Sequence, residues 1–437
     1  MSRFSDIEKE VEEGRERPPF YTAKSSKKGP EVVISCGENI LMAVQHCFPG
    51  RLRFNSWVGR KEFKGNDGVW VTLTDYHHML VRSEIQKEFS DDAIRKVSAT
   101  AAQLAVDQCC FENEYDEVRE YFKALKGTWD GTPRLATWIN NTYGTPDDVY
   151  HRAVGANFLK GMVKRALHPG TKFDYVLVLE GPQGIGKSTS LSVLGGNWHT
   201  ETTISPDNKD FYMALQGHLI VEFSEGETLS RSEVKQLKAV ISATKDTFRP
   251  PYGRETLDFP RRCVFAMTTN QNEYLKDETG NRRWLPIECK DVNIEWLKEN
   301  RDQLFAEALM RVEAGETIHE FPREETIQAQ AARMVEDPDT EKVVDWYFLK
   351  IREDEREEGI STDQAFQGIQ PVQGLNYNKM NRAEQMRIGS ILRNTLRLER
   401  KKKRNGEIVV WRYFPSEYTR KMAPEPSPYS IDAFDAL

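Results

Sequence analysis

Nine consecutive residues concentrate more candidate chemistry than any other part of the sequence: Gly181, Pro182, Gln183, Gly184, Ile185, Gly186, Lys187, Ser188 and Thr189. Their order is G-x-x-x-x-G-K-[ST], a spacing in which glycines let backbone amides turn toward an anion. A lysine in that place reaches the outer phosphate oxygens of a nucleoside triphosphate, and the hydroxyl after it joins a magnesium ion. The stretch therefore predicts binding of ATP with Mg²⁺, with Lys187 on the phosphates and Ser188 on the metal. The surroundings agree, because Tyr175 to Glu180 reads as an apolar strand and SLSVLGG after the loop suits a helix. A chance glycine-rich turn is the competing reading, and it explains neither the strand before the loop nor the partner residues after it.

Downstream, GHLIVEFSEGE brings Glu222 out of a strand, with Glu225 and Glu227 just beyond. Hydrolysis needs a carboxylate near the metal and one that orients the attacking water. Glu222 and Glu225 are the candidates, with Glu222 beside Ser188 as a metal ligand. The spacing leaves open which of the two serves water, and a solvated loop charge is the plainer reading of Glu225. A third strand, RCVFAMTT, ends at Asn270, an amide placed where it can bond the attacking water. Arg282 and Arg283 follow in ETGNRRWLPI. A guanidinium supplied across a subunit boundary neutralises charge on the transferred phosphoryl group, an effect worth roughly 10³–10⁵ in rate. One of the pair is expected to be that finger and the other to pack or form an ion pair. Lys238, between the acidic motif and the third strand, is expected at the surface.

These groups have to be held by strands that alternate with helices, the pattern of an α/β fold whose parallel sheet presents its chemistry at the strand ends. That core is expected over 151–320. Ahead of it, 1–30 is charged and punctuated by Pro and Gly, so it reads as a flexible arm. Residues 31–150 mix helical spacing with short alternation and read as a mainly helical N-terminal domain. After the core come a helical connector over 321–358 and a unit over 359–415, in which RAEQMRIGSILRNTL precedes two strand-like runs joined at Asn405-Gly406. Helix followed by hairpin predicts a winged-helix-like domain, and 416–437 reads as a disordered acidic tail.

The chain has 437 residues, a formal charge of −7 and six cysteines. The cysteines form no CxxC pair and read as reduced, mostly buried thiols. The charge balance excludes a protein coated with basic surface, but a channel that grips one strand needs only a few cations per subunit. No apolar run is long enough for a membrane span, so no membrane partner and a cytoplasmic location are expected.

In chain order, WDGTPRL, PGTKFDYVLVLEGPQGIGKST, VEFSEGE, FRPPYGRETLDFPRRCVFAMTTN and LKDETGNRRWLP closely resemble the virulence-associated protein E family of phage and mobile-element helicases. The resemblance runs from about Glu112 to Gly315. The family looks like the superfamily 3 branch of ring-forming AAA+ helicases, which implies a P-loop AAA+ core, a homo-oligomer in the form of a hexameric ring, ATP between subunits and single-stranded or forked DNA as partner. It also implies a DNA-touching hairpin ahead of the sensor strand, onto which Arg249, Tyr252 and Arg254 fall, and it favours Arg283 over Arg282 as the finger. WDGTPRL, with Trp129, Asp130 and Arg134, suggests no chemistry and is expected to be structural. No primase-type carboxylate pair is evident in the N-terminal region.

Together these readings predict an ATP hydrolase and DNA helicase of phage or mobile-element replication, in the bacterial host cytoplasm if phage- or prophage-encoded. The alternative is an AAA+ ATPase that acts as a replication initiator, assembly switch or protein remodeller without processive unwinding. The basic cluster of Arg393, Arg397, Arg400, Lys401, Lys402, Lys403 and Arg404 reads either as a second DNA contact or as a solvated wing, and the tail's IDAFDAL reads first as bare disorder and second as a docking segment for other replication proteins.

Overall fold

A computed structural model describes residues 17–202, 209–224, 231–249, 255–271, 274–275, 281–334, 338–370, 380–405 and 408–422. The chain divides into two compact units, Met1–Met334 and Val335–Leu437.

The described part of the first unit opens with strand pairing inside the stretch expected as an arm. Strands β1 (Thr22–Lys24) and β2 (Glu31–Val33) pair antiparallel across a turn closed by Ser25 N to Pro30 O. The polar run KSSKKGP is thus a hairpin turn, which needs no buried face of its own. Helices α1 (Gly37–Cys47), α2 (Asp75–Glu88) and α3 (Ala99–Glu112) then pack on a four-stranded sheet. Its strands are β3 (Leu52–Asn55), β4 (Arg60–Lys64), β5 (Trp70–Thr72) and β6 (Glu114–Tyr115), in the order β5-β4-β3-β6. Ile40, Val44, Phe63, Val81, Ile85 and Val106 form its core. Cys109 and Cys110 lie in it as well, and burial pushes both thiols up to about 12.

Helix α4 (Glu117–Leu125) already belongs to another core, in which Val118, Phe122 and Trp138 pack with Phe158, Leu177 and Leu179. The change of core therefore falls between Glu112 and Val118. Beyond α5 (Trp138–Tyr143) and α6 (Val149–Leu167) lies a five-stranded sheet. Its strands are β7 (Val176–Glu180), β8 (His199–Thr202), β9 (Ile220–Phe223), β12 (Val264–Thr269) and β13 (Trp284–Glu288). A small hairpin, β10 (Lys245–Phe248) with β11 (Leu257–Pro260), stands apart from that sheet. The order across the sheet is β13-β7-β12-β9-β8, and every neighbouring pair is parallel. β7, β9 and β12 are buried at every position, as continuous apolar strands covered on both faces should be. Helices α7 (Lys187–Gly195), α8 (Arg231–Ser242) and α9 (Ile294–Glu313) complete the layers.

In the second unit, α10 (Thr362–Ile369) and α11 (Arg382–Asn394) both start with capping boxes, Ser361 with Gln364 and Asn381 with Glu384. Antiparallel strands β14 (Glu399–Asn405) and β15 (Ile408–Phe414) follow. Phe366, Ile388, Leu392 and Tyr413 lie in the core between them. The expected tail begins with a helix, Glu417–Met422, and its remainder lies outside the described residues. Among the described residues no helix is long and apolar enough to cross a membrane.

Candidate nucleotide site

The loop at 181–186 leaves the C-terminal end of β7 and enters α7 at Lys187. Gly181, Gly184 and Gly186 have φ of 145°, 80° and 102°, values that side chains resist. A Cβ at Gly181 would lie 2.6 Å from the carbonyl oxygen of Cys289, so the loop's first residue is pressed against the chain leaving β13. Pro182, Gln183 and Gly184 are exposed and Lys187 is buried. The Lys187 ammonium donates to Gly181 O at 2.6 Å, Pro182 O at 2.8 Å and Asn270 Oδ1 at 3.0 Å. The loop and the end of β12 thus meet at one cation.

Glu222, on β9, has no exposed surface. Its Oε1 accepts from Ser188 Oγ at 2.7 Å and from Thr268 Oγ1 at 2.8 Å, while Oε2 lies 2.9 Å from His199 Nε2. Burial opposes its charge, yet the bonds from His199, Ser188 and Thr268 hold its carboxyl below the ordinary range. Neither His199 nor Thr268 was anticipated. Each comes from a different strand, and only the sheet's order brings them to Glu222; the polar pair Thr268-Thr269 at the end of an apolar run was the one available signal. Thr189 is exposed on the first turn of α7. Ser188 and Glu222 would suit a magnesium ion by chemistry, as hard oxygen donors beside a glycine-rich loop. Glu225 lies outside the described residues.

The two arginines stand elsewhere. Trp284 of β13 pairs with Val176 and Glu288 with Glu180, so Arg283 precedes β13 at the end opposite the loop. Five residues of strand separate those ends, roughly 16 Å at ~3.3 Å per residue. Arg283 Nε donates to Ser242 Oγ at 2.9 Å, and Arg282 is exposed. Lys238, expected at the surface, is buried at the same place, where its carbonyl accepts from Ser242.

Arg249 is exposed directly after β10, while Tyr252 and Arg254 lie outside the described residues. The base of the β10–β11 hairpin is fixed by a buried ion pair between Arg261 and Asp246 and by stacking of Phe248 on Phe259, with centroids 4.4 Å apart. WDGTPRL is a clasp on α9. Arg134 grips Asp130 through two bonds of 2.8 Å, and buried Glu307 accepts from the amides of Arg134 and Leu135 at 2.7 and 2.8 Å.

This architecture is that of an α/β protein with a glycine-rich loop at the C-terminal edge of a five-stranded parallel sheet. The sequence profile of the virulence-associated protein E-like domain matches residues 123–337, so this part of the chain is a domain of that kind. No curated protein matches the sequence. Among solved structures, an A-form apo structure of the NrS-1 C-terminal region aligns at 14% identity and a TM-score of 0.46, covering 84% of this chain and 96% of that one. Another apo structure of that region aligns over the same shares at 13% identity and 0.46.

Proposed function

We propose that this chain is an ATP hydrolase of the P-loop AAA+ kind that works as a ring-forming, superfamily 3-like DNA helicase in phage or mobile-element replication. The observation that carries the reading is the convergence of Lys187 with Asn270, and of Ser188 with Glu222, at the C-terminal edge of one parallel sheet. Strand β12 lies between the loop strand and the acidic strand, which sets Asn270 beside Lys187 and supports its reading as the group that senses a nucleotide's terminal phosphate.

In this reading the amides of 181–187 and the Lys187 ammonium hold the phosphates. Magnesium, when bound through Ser188, supplies charge neutralisation across the phosphate oxygens. Glu222 takes the hydrogen of the Ser188 hydroxyl and leaves that oxygen's lone pairs for the metal, so it works beside the ion. Glu225, two residues past the end of β9, is then the group to orient water. Asn270, directly after β12, is a second group to bond that water. Arg283 is too far from its own loop to touch those phosphates, so it serves the loop of a neighbouring subunit, and Arg282 does not. Arg249, directly after β10, and Tyr252 and Arg254, in the sequence between β10 and β11, are the residues assigned to single-stranded DNA, and the helix-then-hairpin unit at 359–415 is winged-helix-like.

The test is ATP-driven displacement of a strand from a forked duplex. Displacement by the wild type and none by Lys187→Ala supports the helicase. Hydrolysis without any displacement favours the initiator, switch or remodeller instead.

A further inference from the structure

Two of the three donors to Glu222, Ser188 and Thr268, come from elements that the nucleotide reading already uses. The third does not. His199 opens β8, the edge strand farthest from β13, and its ring reaches across to Glu222 with 8% of its side chain exposed. A carboxylate only accepts, so Nε2 carries the hydrogen of this 2.9 Å bond and the imidazole tautomer is set.

The last torsion of a glutamate is broad, so the donors around it decide how its carboxylate plane lies. Ser188 and Thr268 both bond Oε1, which fixes one end of the group. His199 alone, among the described residues, bonds Oε2. The backbone that carries the ring is in turn closely held. Gly195 at the end of α7 leaves room for it, since a Cβ there would lie 2.7 Å from His199 Cβ. The preceding residue is anchored twice: Leu219 N donates to Trp198 O at 2.7 Å, and Trp198 Nε1 donates to Glu117 Oε1 at 2.9 Å.

We propose that His199 is a positioning residue for magnesium: by fixing the Oε2 end of Glu222 it aims the Ser188 hydroxyl oxygen at the ion. The inference rests on the nucleotide reading and adds a residue to it. Partners of this outer kind change metal affinity by roughly 10–100-fold when removed.

The experiment is equilibrium binding of a fluorescent ADP analogue to the full chain, titrated with Mg²⁺ and repeated in EDTA. His199→Leu should raise the half-saturating Mg²⁺ concentration about 10–100-fold, with affinity in EDTA within about 3-fold of wild type. His199→Gln, whose amide can still donate to Glu222, should recover most of the loss. If the leucine variant does not fold, His199→Asn, with an amide that stops short, takes its place with the same expectation. An unchanged Mg²⁺ midpoint, or an equal loss in EDTA, overturns the inference and leaves the nucleotide reading standing. A wild type that ignores Mg²⁺ overturns both.

Discussion

At the residue scale the account turns on a lysine and a carboxylate, each buried and each satisfied by groups from separate elements. Lys187→Ala removes the cation at the centre of the loop, and hydrolysis should fall by at least about 10²-fold with the fold's melting temperature little changed; a phosphate-release assay beside a thermal melt checks both. Arg283 lies at the wrong end of β13 to serve its own loop, which gives a sharper expectation. Lys187→Ala and Arg283→Ala subunits, each inactive alone, should regain hydrolysis when mixed, because hybrid interfaces pair an intact loop with an intact arginine. Absence of recovery at every ratio counts against the assignment. Lys187, Ser188 and Asn270 were legible because a spaced motif and the order of strands specify them. His199 and Thr268 were not, since their meeting with Glu222 depends on which strands are neighbours, and no local pattern records that.

At the element scale the β10–β11 hairpin is a rigid base with an exposed arginine at its margin. Asp246→Ala would leave the Arg261 guanidinium buried without its carboxylate, at a cost of about 3–5 kcal/mol, read from chemical denaturation. Arg254→Ala should weaken single-stranded DNA binding, lower the salt slope by about one and spare basal hydrolysis. Loss of basal hydrolysis would mark Arg254 as structural. Strands β7, β9 and β12 of the large sheet were legible as apolar runs, whereas the polar edge strand β8 and the hairpin of β1 and β2 were not, because an edge strand or a two-stranded surface hairpin needs no continuous apolar face. GVWVTLTDY illustrates the same limit, since its alternation yields only the short strand Trp70–Thr72 before α2 begins. WDGTPRL showed no chemistry in sequence, and the structure supplies its mechanical one, the clasp of Arg134 and Leu135 on Glu307.

At the scale of the whole molecule, the chain divides into two compact units after Met334, inside the stretch expected as a connector. Their charge balance makes a pH prediction. Burial holds His78, His218 and His319 below 6.5, so the unfolded chain takes up protons first as the pH drops. Stability from these groups is complete above about pH 6.5 and is lost as the pH falls toward their folded values. Below about pH 4 a second loss follows, as carboxylates held low by partners, Asp147 by Arg152 and Glu357 by Arg420, become protonated. The melting temperature should therefore fall between pH 7 and 5, and again below pH 4. Replacing His218 with Gln should flatten the first fall. The central claim, that the loop at Gly181–Thr189 powers work on DNA, is tested most directly by the rate of ATP hydrolysis with and without single-stranded oligonucleotide. The account predicts Mg²⁺-dependent hydrolysis that rises severalfold with the oligonucleotide and is abolished in Lys187→Ala. A rate that is indifferent to DNA, or that survives in Lys187→Ala, would contradict it.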